Sequence, residues 1–378
     1  MERINLFSTR EVFPIEKGDQ TIIAQRIRVL SKKYNVRVFL IGNHDPEKQA
    51  AFGKHAGLNL EFVRVPTSPF LILWRLVTRC LFGQMPFQVA MFSSFKLKRI
   101  LKILPKTEIK LVYTIRAAAE FYEPDSRSVI EAIDSMELNI TQLIAIESQI
   151  WKKILLSLEA KLLKKNEKEI IARFSSSTFV ADRDKDLSGN GNSFVLPNGM
   201  HQSCIPVRKF YNQKKIRYVF SGNFSYLPNI EAAKFLLNIF SNTSIDHTLT
   251  FIGVNGEWLY NHEQHNISYF GPTQNMINEL SKYDVYLCPV FKSSGIQNKV
   301  LEASAAGLPV FMSTRVADAF KIPNGLIEAL PENLDAWIEL LYTISKSPNK
   351  LTTQGAALQG YLLDNFNWNN IYRVLEKI

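Results

Sequence analysis

The stretch Ser293–Thr314, SSGIQNKVLEASAAGLPVFMST, decides how the rest of the chain is read. Gly295 is followed by Lys299 and then by Glu302, a lone carboxylate inside an apolar helix-like run. Gly307 and Pro309 then lead into the strand-like VFMS. Upstream, VYLCPV (285–290) reads as a buried strand and FKSSG (291–295) as a loop, so a helix is predicted to begin near Ile296. Free backbone N–H groups and the dipole at a helix start favour a phosphate. Gly295 lets the chain come close to such an anion. Lys299, one turn in, adds positive charge toward a diphosphate. Glu302 falls on about the same face, where a carboxylate suits the paired hydroxyls of a ribose. The plain alternative is a surface lysine paired with a buried glutamate.

The strand–loop–helix unit recurs on both sides. INLFS (4–8), a loop with Pro14 and Gly18, a helix with Ile23, Ile27 and Leu30 on one face, and NVRVFLIG (35–42) form a β-α-β start. IKLVYTI (109–115) and SVIEAID (128–134) read as further buried strands. Residues 138–173 read as one long helical stretch rich in Lys and Glu. STFVA (177–181) and SFVLPNG (193–199) return to strand, and HQSCIPVRKFYNQKK (201–215) reads as a polar linker. A second series opens at IRYVFSGNFSYLPNIEAAKFLLNIF, with LTFIG, ISYFG, VYLCPV and PVFMST as its later strands. The expected architecture is α/β with two Rossmann-like domains facing each other across a cleft. Ligands bind such sheets at the carboxyl ends of the strands.

A length of 378 residues suits two domains, and 46% hydrophobic content suits packed cores. Cys80, Cys204 and Cys288 lie far apart, which suggests neither a disulfide framework nor a zinc ligand set, and fits a reducing cytoplasmic setting. The start of the sequence shows no apolar leader, and no segment reads as a membrane span. The net charge of +10 is uneven: residues 1–200 hold 30 basic and 21 acidic residues, and residues 201–378 hold 15 and 14. A positive half attracts phosphates, nucleic acid or an anionic membrane.

SGIQNKVLEASAAGLPV resembles the signature of retaining GT-B glycosyltransferases of family 4, and more narrowly the bacterial exopolysaccharide sugar transferases carrying GIQNKVLEA. FPIEKGDQ, VLPNGM, YVFSGNFSYLPNIEAAKFL, FIG, YFG and YDVYLCPV resemble further segments of that group, in order, over most of the chain. The resemblance implies an acceptor-binding domain over residues 1–200 and a nucleotide-sugar-binding domain over 201–362. A C-terminal helix at about 363–378 is expected to pack back onto the first. Glu302 matches the second glutamate of the family's E-x7-E motif, which holds the donor ribose. Lys299, with the backbone at Gly295 and Ile296, matches the diphosphate-binding turn. Gly18 matches the glycine loop that approaches the donor phosphate. Asp134 lies where the family has a polar residue near the reacting sugar. Asp134 and Lys299 are therefore the expected catalytic residues. Gly18, Gly222, Asn223, Gly253, Ser294, Gly295, Ile296, Gln297, Lys299 and Glu302 are the expected donor-binding set.

Two departures stand out. Ser294 occupies the place of the first glutamate of E-x7-E, and Asn223 and Pro228–Asn229 occupy the places of the family's Arg and Lys. Both shift the diphosphate charge onto Lys299. No metal or other cofactor is expected. The implied reaction is retaining transfer from a nucleotide-sugar to a glycan or lipid-linked acceptor in bacterial surface polysaccharide assembly. Two alternatives stay open: a sugar-nucleotide epimerase of the same fold, and a nucleotide-sugar-binding protein impaired in catalysis.

Other signals have simpler readings. DRDKD (182–186) contains D-x-D, but Asp182 at a helix start reads as an N-cap. GNG (189–191) leads into a strand and reads as a turn, and His262 and His265 as members of a polar loop. Residues 69–107 place Phe70, Leu71, Trp74, Leu81, Phe82 and Phe87 beside Arg75, Arg79, Lys96, Lys98, Arg99 and Lys102. That mixture suits an anionic membrane surface, hence a cytoplasmic protein lying peripherally on the inner membrane. The alternative is a packed domain with a solvated basic helix. No module for specific nucleic-acid binding is present.

Overall fold

Two wholly parallel sheets carry the chain, each covered by helices on both faces. The computed structural model describes all residues except 14–17, 134, 181, 189–191, 201–203, 208–214, 244–246, 263–265, 274, 293–295, 348 and 378. Met1–Pro197 with Trp368–Ile378 form one compact unit, and Asn198–Asn367 the other.

In the first unit the strands are β1 (Arg3–Ser8), β2 (Asn35–Ile41), β3 (Glu61–Val65), β4 (Ile109–Tyr113), β5 (Asp125–Ile133), β6 (Phe174–Phe179) and β7 (Ser193–Val195). Their order is β3-β2-β1-β4-β5-β6-β7. Because side chains alternate across a strand, β1 sends Ile4 and Leu6 into one apolar cluster and Phe7 into another. β2 does the same with Val36, Val38 and Leu40 against Phe39 and Ile41. A sheet with a core on each face needs strands that are apolar throughout, and that continuity is what the sequence displays.

The stretch 138–173 is two helices rather than one, Met136–Ile146 and Ile150–Ile171. No Gly or Pro marks the break; Glu147 and Gln149 simply adopt extended backbone. Two buried carboxylates of the second helix hold the starts of neighbouring helices. Glu167 accepts from Met136 N at 3.0 Å, Glu137 N at 3.3 Å and Ser135 Oγ at 3.3 Å, and so caps the first helix. Glu159 accepts from Phe87 N at 2.7 Å and Gln88 N at 3.0 Å, capping the helix Phe87–Ala90. Burial pushes both carboxyl groups above their ordinary range, against the opposing effect of these amides.

The C-terminal segment joins the first unit through Trp368, Ile371, Val374 and Leu375, all buried in its core. Its helix is short, Ile371–Leu375, preceded by a 3₁₀ turn at Trp368–Asn370. Arg26 anchors it. The guanidinium Nε lies 2.8 Å from Glu131 of β5, donates from Nη1 to Trp368 O at 3.5 Å, and lies 5.6 Å from the Trp368 ring centroid.

The basic apolar stretch divides between surface and core. Phe70, Trp74, Leu81 and Phe82 are exposed, with Lys96, Lys98, Arg99 and Lys102. Leu71 is buried, and Phe87 half-buried. Arg75 also points inward, paired with Glu120 at 2.8 Å, so it is not a surface cation as its spacing suggested. The helix Ile150–Ile171 adds exposed Ile150, Trp151, Ile154 and Leu158, which the sequence reading passed over. No helix among the described residues is long and apolar enough to cross a membrane.

The second unit holds β8 (Arg217–Asn223), β9 (Thr248–Val254), β10 (Ile267–Phe270), β11 (Val285–Cys288), β12 (Val310–Ser313) and β13 (Ala329–Leu330), in the order β10-β9-β8-β11-β12-β13. The direction of winding reverses between β8 and β11. At such a reversal the chain leaves the two strands toward opposite faces and opens a crevice at their carboxyl ends.

Candidate functional site

β8 ends in Ser221-Gly222-Asn223 and feeds the helix Leu227–Ser241; β11 feeds the helix Asn298–Ala305. Lys299 on the latter reaches across the reversal. Its Nζ donates to Asn229 Oδ1 at 2.5 Å and lies 4.5 Å from the Phe220 ring centroid. Asn229 in turn donates from Nδ2 to the Asn223 carbonyl at 2.9 Å. One amide side chain thus ties the lysine to the end of β8.

The glycines here are required by space. A Cβ on Gly222 would stand 2.8 Å from Asn229 Nδ2 and 3.0 Å from Lys299 Nζ. Gly253, at the same level of β9, has φ +147°, and a Cβ there would come within 1.9 Å of the Gly222 carbonyl oxygen. Asn223 closes the turn with its own side chain. Its Oδ1 accepts from Ser225 N at 3.0 Å, Ser225 Oγ at 2.8 Å and Asn255 Nδ2 at 2.9 Å.

Among the described residues, no carboxylate lies within ion-pair distance of Lys299, and no hydrogen-bond partner meets the Glu302 carboxyl group. Burial brings the Lys299 ammonium down to about 8, against the opposing pull of Cys288 and Glu302. Burial likewise raises the Glu302 carboxyl to about 7, with Lys299 pulling the other way. Desolvation therefore outweighs their mutual attraction. Cys288, behind the lysine, is itself raised to about 11 by burial and stays neutral. An arriving anion would restore the lysine's charge, and hydroxyl donors would favour the ionised glutamate. The pair is poised for a ligand carrying both.

The structure brings Gly222, Asn223, Gly253 and Lys299 together, with Glu302 one turn further along the lysine's helix. Ile296 and Gln297 immediately precede that helix, and Gln297 O accepts from Val300 N at 2.9 Å. Ser294, Gly295 and Asp134 lie outside the described residues. Gly18 opens the helix Gly18–Leu30 of the first unit. Asn229 and Phe220 are the residues that the motif reading missed as partners. Asn229 stood out only as a replacement for a cation, whereas it holds the remaining cation in place. Its offset of seven residues from Gly222, in the first turn of the following helix, is the signal that could have found it.

The weaker motifs resolve differently. Asp182 stands at the start of the helix Asp182–Ser188, and Asp184 Oδ1 accepts from Ser135 N at 3.5 Å. His262 packs against Trp258 with ring centroids 6.0 Å apart, while His265 and the 189–191 turn lie outside the described residues.

Residues 215–343 match the family described as Glycosyl transferases group 1. The matched stretch lies within the second unit. Solved structures of similar fold span the whole chain. Sucrose-phosphate synthase (tll1590) from Thermosynechococcus elongatus superposes with a TM-score of 0.67 at 14% identity, covering 100% of this chain and 99% of that one. Anabaena Alr3699/HepE in complex with UDP gives 0.64 at 12% identity, covering 100% of both chains. WaaG, a glycosyltransferase involved in lipopolysaccharide biosynthesis, gives 0.60 at 14% identity, covering 99% and 98%. No curated protein sequence matches the chain. The fold of the chain is GT-B, two α/β domains each built on a parallel sheet.

Proposed function

We propose that this glycosyltransferase moves a sugar from a nucleotide-sugar donor with retention at the anomeric carbon, and that Lys299 and Glu302 hold the donor's diphosphate and ribose. The observation that carries the reading is the uncommitted pair itself: a half-buried lysine held, among the described residues, by a neutral amide and a ring face, and a carboxylate without a described partner, at the reversal between β8 and β11. A cation and an acid drawn partly out of water without ionic partners are costly and make sense where a ligand supplies what they lack. The UDP held by Anabaena HepE supports the same assignment.

Negative charge builds on the departing diphosphate as the sugar–oxygen bond opens. A fixed ammonium in a site partly closed to water stabilises that charge without reorganising. In the proposed reaction Lys299 is the main electrostatic contributor. The proposal needs no metal or other cofactor. The roles of Gly18 and Asp134 rest on the sequence resemblance alone, as do those of Ser294 and Gly295.

The acceptor we propose is a glycan or lipid-linked glycan of a bacterial surface polysaccharide, reached at the inner membrane from the cytoplasmic side. The exposed Phe70, Trp74, Leu81 and Phe82, with exposed Lys96, Lys98, Arg99 and Lys102 in the same stretch of chain, support it. Flotation with anionic liposomes at low salt checks this part, and a protein that stays in the soluble fraction removes it.

A thermal-shift screen against UDP-, GDP-, ADP- and dTDP-sugars tests the donor reading. Stabilisation by one nucleotide series and not the others is expected, because a ligand that binds only the folded state raises its stability by mass action. No stabilisation by any series refutes the proposal. Product analysis then separates transfer from its alternatives: an epimerase changes the donor with no acceptor present, and a binding protein leaves it intact.

A further inference from the structure

A cavity of about 780 Å³ opens on the first unit at the opposite edge of its sheet, where β4, β5 and β6 begin. It is independent of the site above, which lies on the other unit at carboxyl ends. Its walls are uneven in charge. Lys98, Lys102, Lys106 and Arg173 line it without an ion pair among the described residues, and the acid left to balance them is Glu123. The other charged groups of the lining are already matched: Lys110 lies 2.7 Å from Asp125, and Glu120 is held by Arg75.

Two features set this apart from a solvated basic face. Lys98 and Lys102 sit four residues apart on the helix Phe95–Ile103, a spacing at which like charges repel. Further, Arg75, Arg79 and Arg173 surround the Tyr122 ring at 5.1, 4.8 and 5.7 Å from its centroid. Burial, and behind it Arg79, pushes Arg173 below its ordinary value, against an opposing pull from Glu169. Arg79 belongs to a π-helical turn, Leu76–Cys80, a distortion that often marks functional sites. Arg173 is fixed by donating to the Phe121 carbonyl at 3.1 Å, so its remaining donors are presented in one place. Cations gathered against their own repulsion, beside a fixed guanidinium, suit an oxyanion with several acceptor oxygens.

We infer that this cavity binds a phosphate ester, with Lys98, Lys102, Lys106 and Arg173 holding the phosphate oxygens and Tyr122 forming the wall beside them. The volume admits a phosphorylated polyol rather than a bare ion. That chemistry has two sources, a soluble phosphate ester or the headgroup of an anionic lipid.

The test uses the full chain. Glycerol 1-phosphate is titrated by calorimetry, and flotation is measured with phosphatidylcholine vesicles with and without phosphatidylglycerol. The wild type is compared with a K98Q/K102Q/K106Q variant, with Arg173→Gln and with a charge-preserving K98R/K102R variant. The three lysines are exposed, so the fold should survive, which thermal melting verifies. Neutralisation should weaken binding about tenfold or more, and K98R/K102R should retain it. An effect on glycerol 1-phosphate identifies a soluble ligand; an effect on anionic vesicles alone identifies a headgroup. Equal binding by wild type and neutralised variants in both arms, or binding by none, overturns the inference. Nucleotide-sugar stabilisation should be the same in all variants, which keeps this result separate from the fate of the donor site.

Discussion

Lys299 and Asn229 are joined by a hydrogen bond of 2.5 Å, and that bond is the lysine's only described tie to a polar side chain. A neutral amide can orient an ammonium without cancelling its charge. A carboxylate in the same place would hold the lysine equally well and leave less for a diphosphate. Lys299→Ala should therefore lower turnover by roughly 10² or more, as removal of a single transition-state donor does elsewhere. Steady-state rates at saturating donor give the answer, and near-normal turnover would take Lys299 out of this role.

Glu302 should show opposite effects on stability and on binding. Its carboxyl group is raised to about 7 by burial, so the native state prefers it neutral. The associated stability is complete below the ordinary glutamate range and is lost as pH rises from there through about 7. Above that window Glu302→Gln should stabilise the ligand-free protein by about 1–2 kcal/mol, allowing for partial solvent screening. The same change should weaken nucleoside diphosphate binding roughly tenfold. Melting curves at pH 8 paired with calorimetry test both; destabilisation, or unchanged affinity, contradicts the assignment.

The lysine sets a second pH window. Lys299 is protonated below about 8 and neutral above it, and a bound diphosphate favours the protonated form. Affinity should be level between pH 7 and 8 and then fall, by up to about tenfold per pH unit. Lys299→Met should bind weakly but without that decline. A falling limb that survives in the variant would belong to another group.

Gly222→Ala tests the close packing at the end of β8. The added methyl meets the flexible ends of Asn229 and Lys299 rather than backbone. The fold should be retained at a cost of about 1–3 kcal/mol, while donor affinity falls because the lysine is displaced. Intact affinity would show that Lys299 has room to spare.

Arg26→Ala should cost about 3–5 kcal/mol, since it leaves Glu131 buried without its partner. An R26M/E131L pair, apolar on both sides, should recover much of that loss. Chemical denaturation followed through tryptophan fluorescence reports it, because Trp368 stacks on the guanidinium. Equal stability of single and double variants would argue against a stabilising role for the pair.

Both sheets were legible in the sequence because doubly covered strands are continuously apolar, and those runs stand out between glycines. β3 escaped because Glu61 and Arg64 break its pattern, as suits an edge strand. The division of residues 138–173 was hidden because no Gly or Pro marks it; Glu147 and Gln149 take extended backbone. In the candidate site, Gly222, Lys299 and Glu302 were visible as residue types that suit phosphate and ribose chemistry. Asn229 and Phe220 were not, since their value comes only from where the second helix brings the lysine. The exposed Ile150, Trp151 and Ile154 were read as part of a charged helix because alternating lysines mask an apolar face.

Glu159 and Glu167 stand eight residues apart on one helix, and each closes the start of a different neighbour. The helix Ile150–Ile171 is consequently keyed lengthwise like a bolt with two notches. A slip of one residue would disengage both. Chimeras that exchange this helix between related chains should succeed only when residues 85–90 and 135–146 travel with it.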